Sequence, residues 1–233
     1  MMNKNRILAL ARSLVEVNPN ALNDPDDYLA HLSQVHDLAR DVVGNIHSKY
    51  PHIPLLTEEI SLAAGLHDIG RPLQKDQTFH ELRGAKYIEK NGLIYIDKNG
   101  LIEMFATSLK DIYRIAQMFR SHGFAYEYWL DQECFDSRAE FEPLESCLLV
   151  PRTWHEAIVT YSDLASYNGE RIKVEDRLRE VEKRYETDPR YKNKLHVRTS
   201  KAARNRILEL SERVEALESG KLSEQEIVRF GFL

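Results

Sequence analysis

Residues 62–72 read LAAGLHDIGRP: five apolar or small residues, a histidine and an aspartate side by side, then Ile-Gly-Arg-Pro. The apolar run predicts a buried helix end, and Gly70 with Pro72 predicts where it stops. An aspartate there is costly unless it is paired or bound to a cation. His67 and Asp68 point about 100° apart on a helix, so both reach one ion only if it lies between them near the helix end. Imidazole nitrogen plus carboxylate oxygen suits Zn, Mn or Fe. A lone His-Asp pair says little, so the rest of the chain decides.

Working outward, the elements read as helices. The chain has 233 residues, is 42% apolar and carries only 10 Gly and 8 Pro. Few breakers and many Leu, Ala, Glu, Lys and Arg favour helix over sheet. Residues 5–17 form a short apolar-periodic helix. Asp24-Pro25-Asp26-Asp27 is a helix start, with a cap, a first-turn proline and acids at the positive end of the dipole. Tyr28, Leu32, Val35, Ala39, Val42 and Ile46 follow at alternating steps of four and three. A third helix opens at Thr57 and runs into the 62–70 segment, and a fourth covers 79–91. Asn-Gly-Leu-Ile recurs after eight residues, at 91 and 99, which fits a hairpin or a helix. Further helices are expected at 108–121, 154–167, 174–187, 199–218 and in the tail SEQEIVRF. Residues 131–145, with six carboxylates and one arginine, read as a solvated loop or insertion. The expectation is an all-α helical bundle of roughly eight to ten helices. It forms a single domain over 1–233, with a core at 24–170 and a C-terminal helical extension, 171–233, packed on it.

The net charge of −5 argues against a protein whose whole surface seeks nucleic acid. Cys134 and Cys147 fit no CxxC motif and no disulfide framework, which suggests a reducing, cytoplasmic setting. The N-terminus, interrupted by Arg12, reads as neither a signal peptide nor a membrane span.

Two partners give the His-Asp pair its weight. Upstream stands His31-x-x-x-Val35-x-x-Leu38-Ala39, and downstream Asp163 in IVTYSDLASYNGE. The order His … His-Asp … Asp, with HDIG intact at 67–70, resembles the HD-domain superfamily of metal-dependent phosphohydrolases. The resemblance spans about residues 28–168. NGERIKVEDRLREVEKRY, which follows, is similar to the post-motif helix of small stand-alone members. It implies His31, His67, Asp68 and Asp163 as metal ligands. The plain alternatives are a histidine flanking its helix's apolar stripe, with His36 as another ligand, and a surface carboxylate at 163. The spacing to Val35 and Leu38-Ala39 selects His31, and Asp163 stands one turn after apolar Val159.

His80 and His122 bear on a second ion. His80-Glu81 before Gly84-Ala85 resembles the H-E-x-x-G-A segment of two-metal members. His122 resembles the first of a frequent His-His pair, but Gly123 stands where the second would be. Either histidine could instead contact substrate phosphate or lie at the surface. His47, His52, His155 and His196 match no family position.

The implied cofactor is one or two divalent ions, from among Mn, Mg, Fe, Ni, Co and Zn. A bound ion lowers the pKa of its water so that hydroxide attacks phosphorus in line. Asp68 would bridge two ions, or with Glu81 orient the water beside one. Cations must meet the growing charge. Arg71 follows HDIG directly. Seven Lys or Arg and no acid lie between Pro189 and Leu208, with Arg198, Lys201 and Arg204 among them. They form either a solvated surface or a phosphate-gathering rim.

The expected activity is hydrolysis of a phosphoester or phosphoanhydride bond in a small nucleotide-type substrate. Asp68, His67, Glu81 and Arg71 are the catalytic candidates. The alternatives are a single-strand nuclease or cyclic-nucleotide phosphodiesterase, and a non-enzymatic domain that retains the metal. Nucleic acid is the lesser expectation as a partner, and no membrane is expected.

Overall fold

The computed structural model describes residues 4–91, 94–96, 102–104, 108–187 and 194–232, with side chains omitted in the two short strands. Its centre is the helix that leads to His67, α3 (Thr57–Leu66), buried at every position from Ile60 to Leu66. A helix apolar on all sides needs neighbours on all sides. These are α1 (Lys4–Val17), α2 (Pro25–Lys49), α5 (Leu109–Arg120) and α8 (Trp154–Leu164). Between α3 and α5 come α4 (His80–Asn91) and an antiparallel pair, β1 (Ile94–Ile96) with β2 (Ile102–Met104), registering Tyr95 against Glu103. The antiparallel pairing of 94–96 with 102–104 agrees with the hairpin alternative over the helical one; residues 92–93 and 97–101 lie outside the described residues.

Local signals explain most boundaries. Asp24 accepts a hydrogen bond from the Asp27 amide at 3.0 Å, and Pro25 opens α2. The seam of Tyr28, Leu32, Val35, Ala39, Val42 and Ile46 is buried throughout. Ser108 caps α5, Thr153 caps α8, and Ser223 with Glu226 forms a capping box.

Three boundaries depart from the sequence reading, and two short helices add to it. Helix α3 stops at Leu66, and 67–70 form turns leading into a 3-10 turn at Arg71–Leu73. Helix α8 ends at Leu164 and gives way to a hairpin, β3 (Ser166–Tyr167) with β4 (Glu170–Arg171), where Asn168 and Gly169 take positive φ. After α9 (Val174–Thr187), helix α10 (Lys194–Glu218) starts five residues earlier than 199. Two short helices, α6 (Ala125–Leu130) and α7 (Phe135–Arg138), bring the described total to eleven with the terminal α11 (Glu224–Phe230). They are too short for a helical period to register.

The 131–145 segment is also less solvated than its acidity suggests. Cys134 is buried, Phe141 packs edge-on to Phe79, and Arg138 donates to the Trp129 carbonyl at 2.6 Å.

Helix α10 packs on α8, α2, α6 and α9. The tail is tied down by Trp154, whose indole donates to the Ile227 carbonyl at 2.8 Å and whose ring packs on Phe230. No described helix is long and apolar enough to cross a membrane.

Candidate metal centre

His67 and Asp68 sit just past the C-terminus of α3, fully buried. Gly70 then brings the chain against α4: a Cβ at residue 70 would lie 1.9 Å from the His80 carbonyl oxygen. Only glycine permits that approach, and the approach delivers His80 and Glu81 to the pair. Helix α2 contributes His31, α8 contributes Asp163, and the turn after α5 contributes His122.

Three of the imidazoles are oriented in the same way. His67, His80 and His122 each donate Nδ1–H to the carbonyl three residues earlier, those of Ala64, Gln77 and Phe119, at 2.7, 2.8 and 2.5 Å. A carbonyl only accepts, so a proton sits on each Nδ1, and it is Nε2 that carries the lone pair whenever the ring is neutral. This is the usual means of fixing a metal-binding histidine.

The Nε2 atoms and carboxylates converge. His31 Nε2 lies 3.1 Å from Asp163 Oδ1, and His67 Nε2 lies 3.4 Å from the same oxygen. Asp68 turns its two oxygens to different neighbours. Its Oδ1 is 2.8 Å from His80 Nε2 and 3.6 Å from His122 Nε2, while its Oδ2 is 3.5 Å from His67 Nε2 and 2.5 Å from Arg71 Nε. Three overlapping groups have ligand atoms close enough to share an ion: His31–His67–Asp163, His67–Asp68–His122 and His80–Glu81–His122.

Electrostatics follow from burial. Burial opposes the charge of Asp68, yet Arg71, His67 and His80 outweigh it and hold its carboxyl well below the usual range. Asp163 is held down likewise by His67 and His31 against its burial. Burial disfavours a charged His67, but Asp68 and Asp163 overcome this and keep its pKa above the ordinary value. Burial dominates at His31 and lowers its pKa.

The residues fit a divalent cation. His67 Nε2, His80 Nε2, Asp68 Oδ1 and both Glu81 oxygens are buried and lack a properly oriented hydrogen bond. Orphaned buried groups of this kind are rare and call for a reason. Two nitrogen-rich groups with carboxylates suit Mn, Fe, Co, Ni or Zn. The buried His/Asp/Glu groups could thus hold a metal ion.

All of His31, His67, Asp68, His80, Glu81, His122 and Asp163 therefore meet at one place, with Arg71 at its edge. His36 instead lies 3.0 Å from Asp37 through Nδ1, away from the cluster. The other basic candidates go elsewhere. Arg198 pairs with Asp131 and Glu133, Lys201 with Glu186, and Arg204 with Glu182 and Glu175. A run free of acids in sequence is thus matched by acids from other elements, as on a solvated ion-paired surface. Arg190 and Lys192 lie outside the described residues.

Sequence reasoning missed three participants. Tyr28 donates its hydroxyl to the Asp68 carbonyl at 3.2 Å, and the need of a buried tyrosine hydroxyl for a partner was the only available hint. His196, treated as ordinary, bonds the Tyr128 hydroxyl through Nδ1 at 2.6 Å and lies within the electrostatic reach of His80, Glu81 and Arg71. Arg206 grips the turn that carries His122. No family model, curated protein or solved structure gives a significant match to this chain.

Proposed function

We propose that this chain is a divalent-metal-dependent phosphohydrolase of the HD-domain type, acting on a phosphoester or phosphoanhydride of a nucleotide-type small molecule. One observation carries the reading. Seven imidazole and carboxylate side chains from several helices and turns meet in one cluster, and five of its atoms, His67 Nε2, His80 Nε2, Asp68 Oδ1 and both Glu81 oxygens, are buried without a hydrogen-bond partner. Burying so many ionisable groups is expensive without a cation to hold. The order His31 … His67-Asp68 … Asp163 and its resemblance to HD-domain proteins support the reaction class and the nucleotide-type substrate.

His31, His67 and Asp163 would hold one ion, His80, Glu81 and His122 a second, and Asp68 stands between the two groups. A bound divalent ion supplies Lewis acidity and a water of lowered pKa. The chain's own residues do the rest. The Nδ1–H bonds fix the imidazoles so that they need not reorganise during reaction. Arg71, whose side chain is 35% exposed while Asp68 is 3% exposed, reaches from Asp68 toward solvent, where its guanidinium can meet phosphate oxygens. Glu81 offers two buried unbonded oxygens, as a ligand or as a proton acceptor. A nucleic-acid substrate finds less support, because Arg198, Lys201 and Arg204 are already paired with acids.

The test is metal analysis of the purified protein, followed by a phosphoester panel on the same sample with Asp68→Ala alongside. Metal-dependent phosphate release by the wild type, lost in the variant, is the expected result. Full activity in Asp68→Ala would sink the proposal, and a metal-loaded chain inert across the panel would favour a binding domain.

A further inference from the structure

Arg206 lies on α10, outside the helices that supply the metal-ligating candidates, yet it reaches the turn that carries one of them. Its Nε and Nη2 form a fork with the Glu127 carboxylate at 2.9 and 2.8 Å, and Nη2 also donates to the Gly123 carbonyl at 3.1 Å. Glu127 is itself buried in α6. One guanidinium thus joins α10 to α6 and to the α5–α6 turn, in the bidentate form that fixes geometry best.

The gripped turn has little freedom. Gly123 has φ +62°, a conformation that L side chains rarely adopt. A Cβ there would lie 3.0 Å from Glu81 Oε1, so the turn's backbone abuts the Glu81 carboxylate. His122, the residue before it, bonds Phe119 through Nδ1 and sends Nε2 toward Asp68. The orientation of the 123 peptide therefore bears on both His122 and Glu81, which with His80 form one of the three potential ligand groups. The His31–His67–Asp163 group is built by α2, the α3 end and α8, without the 123 turn.

We infer that Arg206 is a positioning residue that fixes the His122–Glu81 edge and thereby sets how tightly the chain holds a cation at His80–Glu81–His122. The inference rests on the metal-centre reading above. It assigns α10 a part in the site: the helix supplies none of the candidate ligands but holds the geometry of the His80–Glu81–His122 group. Partners that orient ligands typically change metal affinity by about 10- to 100-fold when removed.

The experiment is calorimetric titration of Mn2+ into the metal-stripped full-length chain, with circular dichroism to confirm folding. The wild type is expected to take up two ions in two steps. Arg206→Met should weaken one of the two steps by about 10- to 100-fold and leave the other unchanged. Arg206→Lys, which keeps the charge but loses the fork, should fall between, and it carries the test if the methionine variant does not fold. Arg213→Met, on the same helix and stacked on Phe230, should match the wild type. A general loosening of α10 would affect all three variants and both steps. Two unaltered steps in the Arg206 variants, or a wild type that takes up one ion only, overturns the inference. A wild type that takes up none overturns the metal centre itself, a distinguishable failure.

Discussion

His31 Nε2 and Asp163 Oδ1 lie 3.1 Å apart although 132 residues of chain separate them. Helices α2 and α8 pack on each other and on α3, so the contact closes the cluster around His67. Each side chain would be a poor occupant of a core by itself, and together they form a site.

Asp68 faces both ligand groups, so its charge is the one the site can least lose. Asp68→Asn keeps the shape and removes the charge. Metal content should fall to background, and phosphoester hydrolysis with it, while the far-ultraviolet dichroism stays native. Stoichiometric metal in this variant would refute the bridging position.

Gly70 is a steric requirement. In Gly70→Ala the new Cβ would sit 1.9 Å from the His80 carbonyl and 2.6 Å from the Gly84 nitrogen. Both obstacles are backbone, so α4 must move. Overpacking of this kind costs about 1–3 kcal/mol. The urea midpoint should drop accordingly, and metal uptake should weaken as His80 is displaced. A variant as stable as the wild type would show that the contact is softer than its geometry.

His155 predicts a pH dependence of stability. Burial, and secondarily Arg114, lowers its pKa from 6.5 to about 4 in the folded chain. Arg114 is itself paired with Glu59 and Asp111, and the Leu56 amide donates to His155 Nε2 at 3.4 Å. Between pH 6.5 and about 4 the unfolded chain takes a proton that the folded chain refuses. This contribution is therefore complete above pH 6.5 and declines as pH falls through that window. Urea unfolding at neutral pH and at about pH 5 measures it. His155→Gln should lose less stability between the two conditions than the wild type, and equal losses would contradict the assignment.

The two thiols should differ sharply. Cys147 is exposed, whereas Cys134 is buried with its pKa pushed up to about 11, by burial first and then by Asp131. The thiolate is the reactive form. A thiol reagent at neutral pH should label one cysteine rapidly in the native protein and the second only on unfolding. Rapid labelling of both would mean that the 131–145 segment opens readily.

Some of this was written in the chain itself. The 3.6-residue spacing of Tyr28 to Ile46, the Asp24 cap and the apolar 60–66 run are local patterns, and local patterns fix where helices form and which face they bury. The same locality made His31, His67-Asp68 and Asp163 readable, because each occupies the inward side of a helix or its end. Sequence could not say that Arg198, Lys201 and Arg204 would find acids, since Asp131, Glu186 and Glu182 come from other elements. Nor could it say that Glu81 would be buried without a partner, that Gly123 would make room beside it, or that Arg206 would hold that turn from 83 residues away. A helical period reports which side of one element is buried. Which side chains then share a few ångströms depends on how the helices cross, and packing alone sets that.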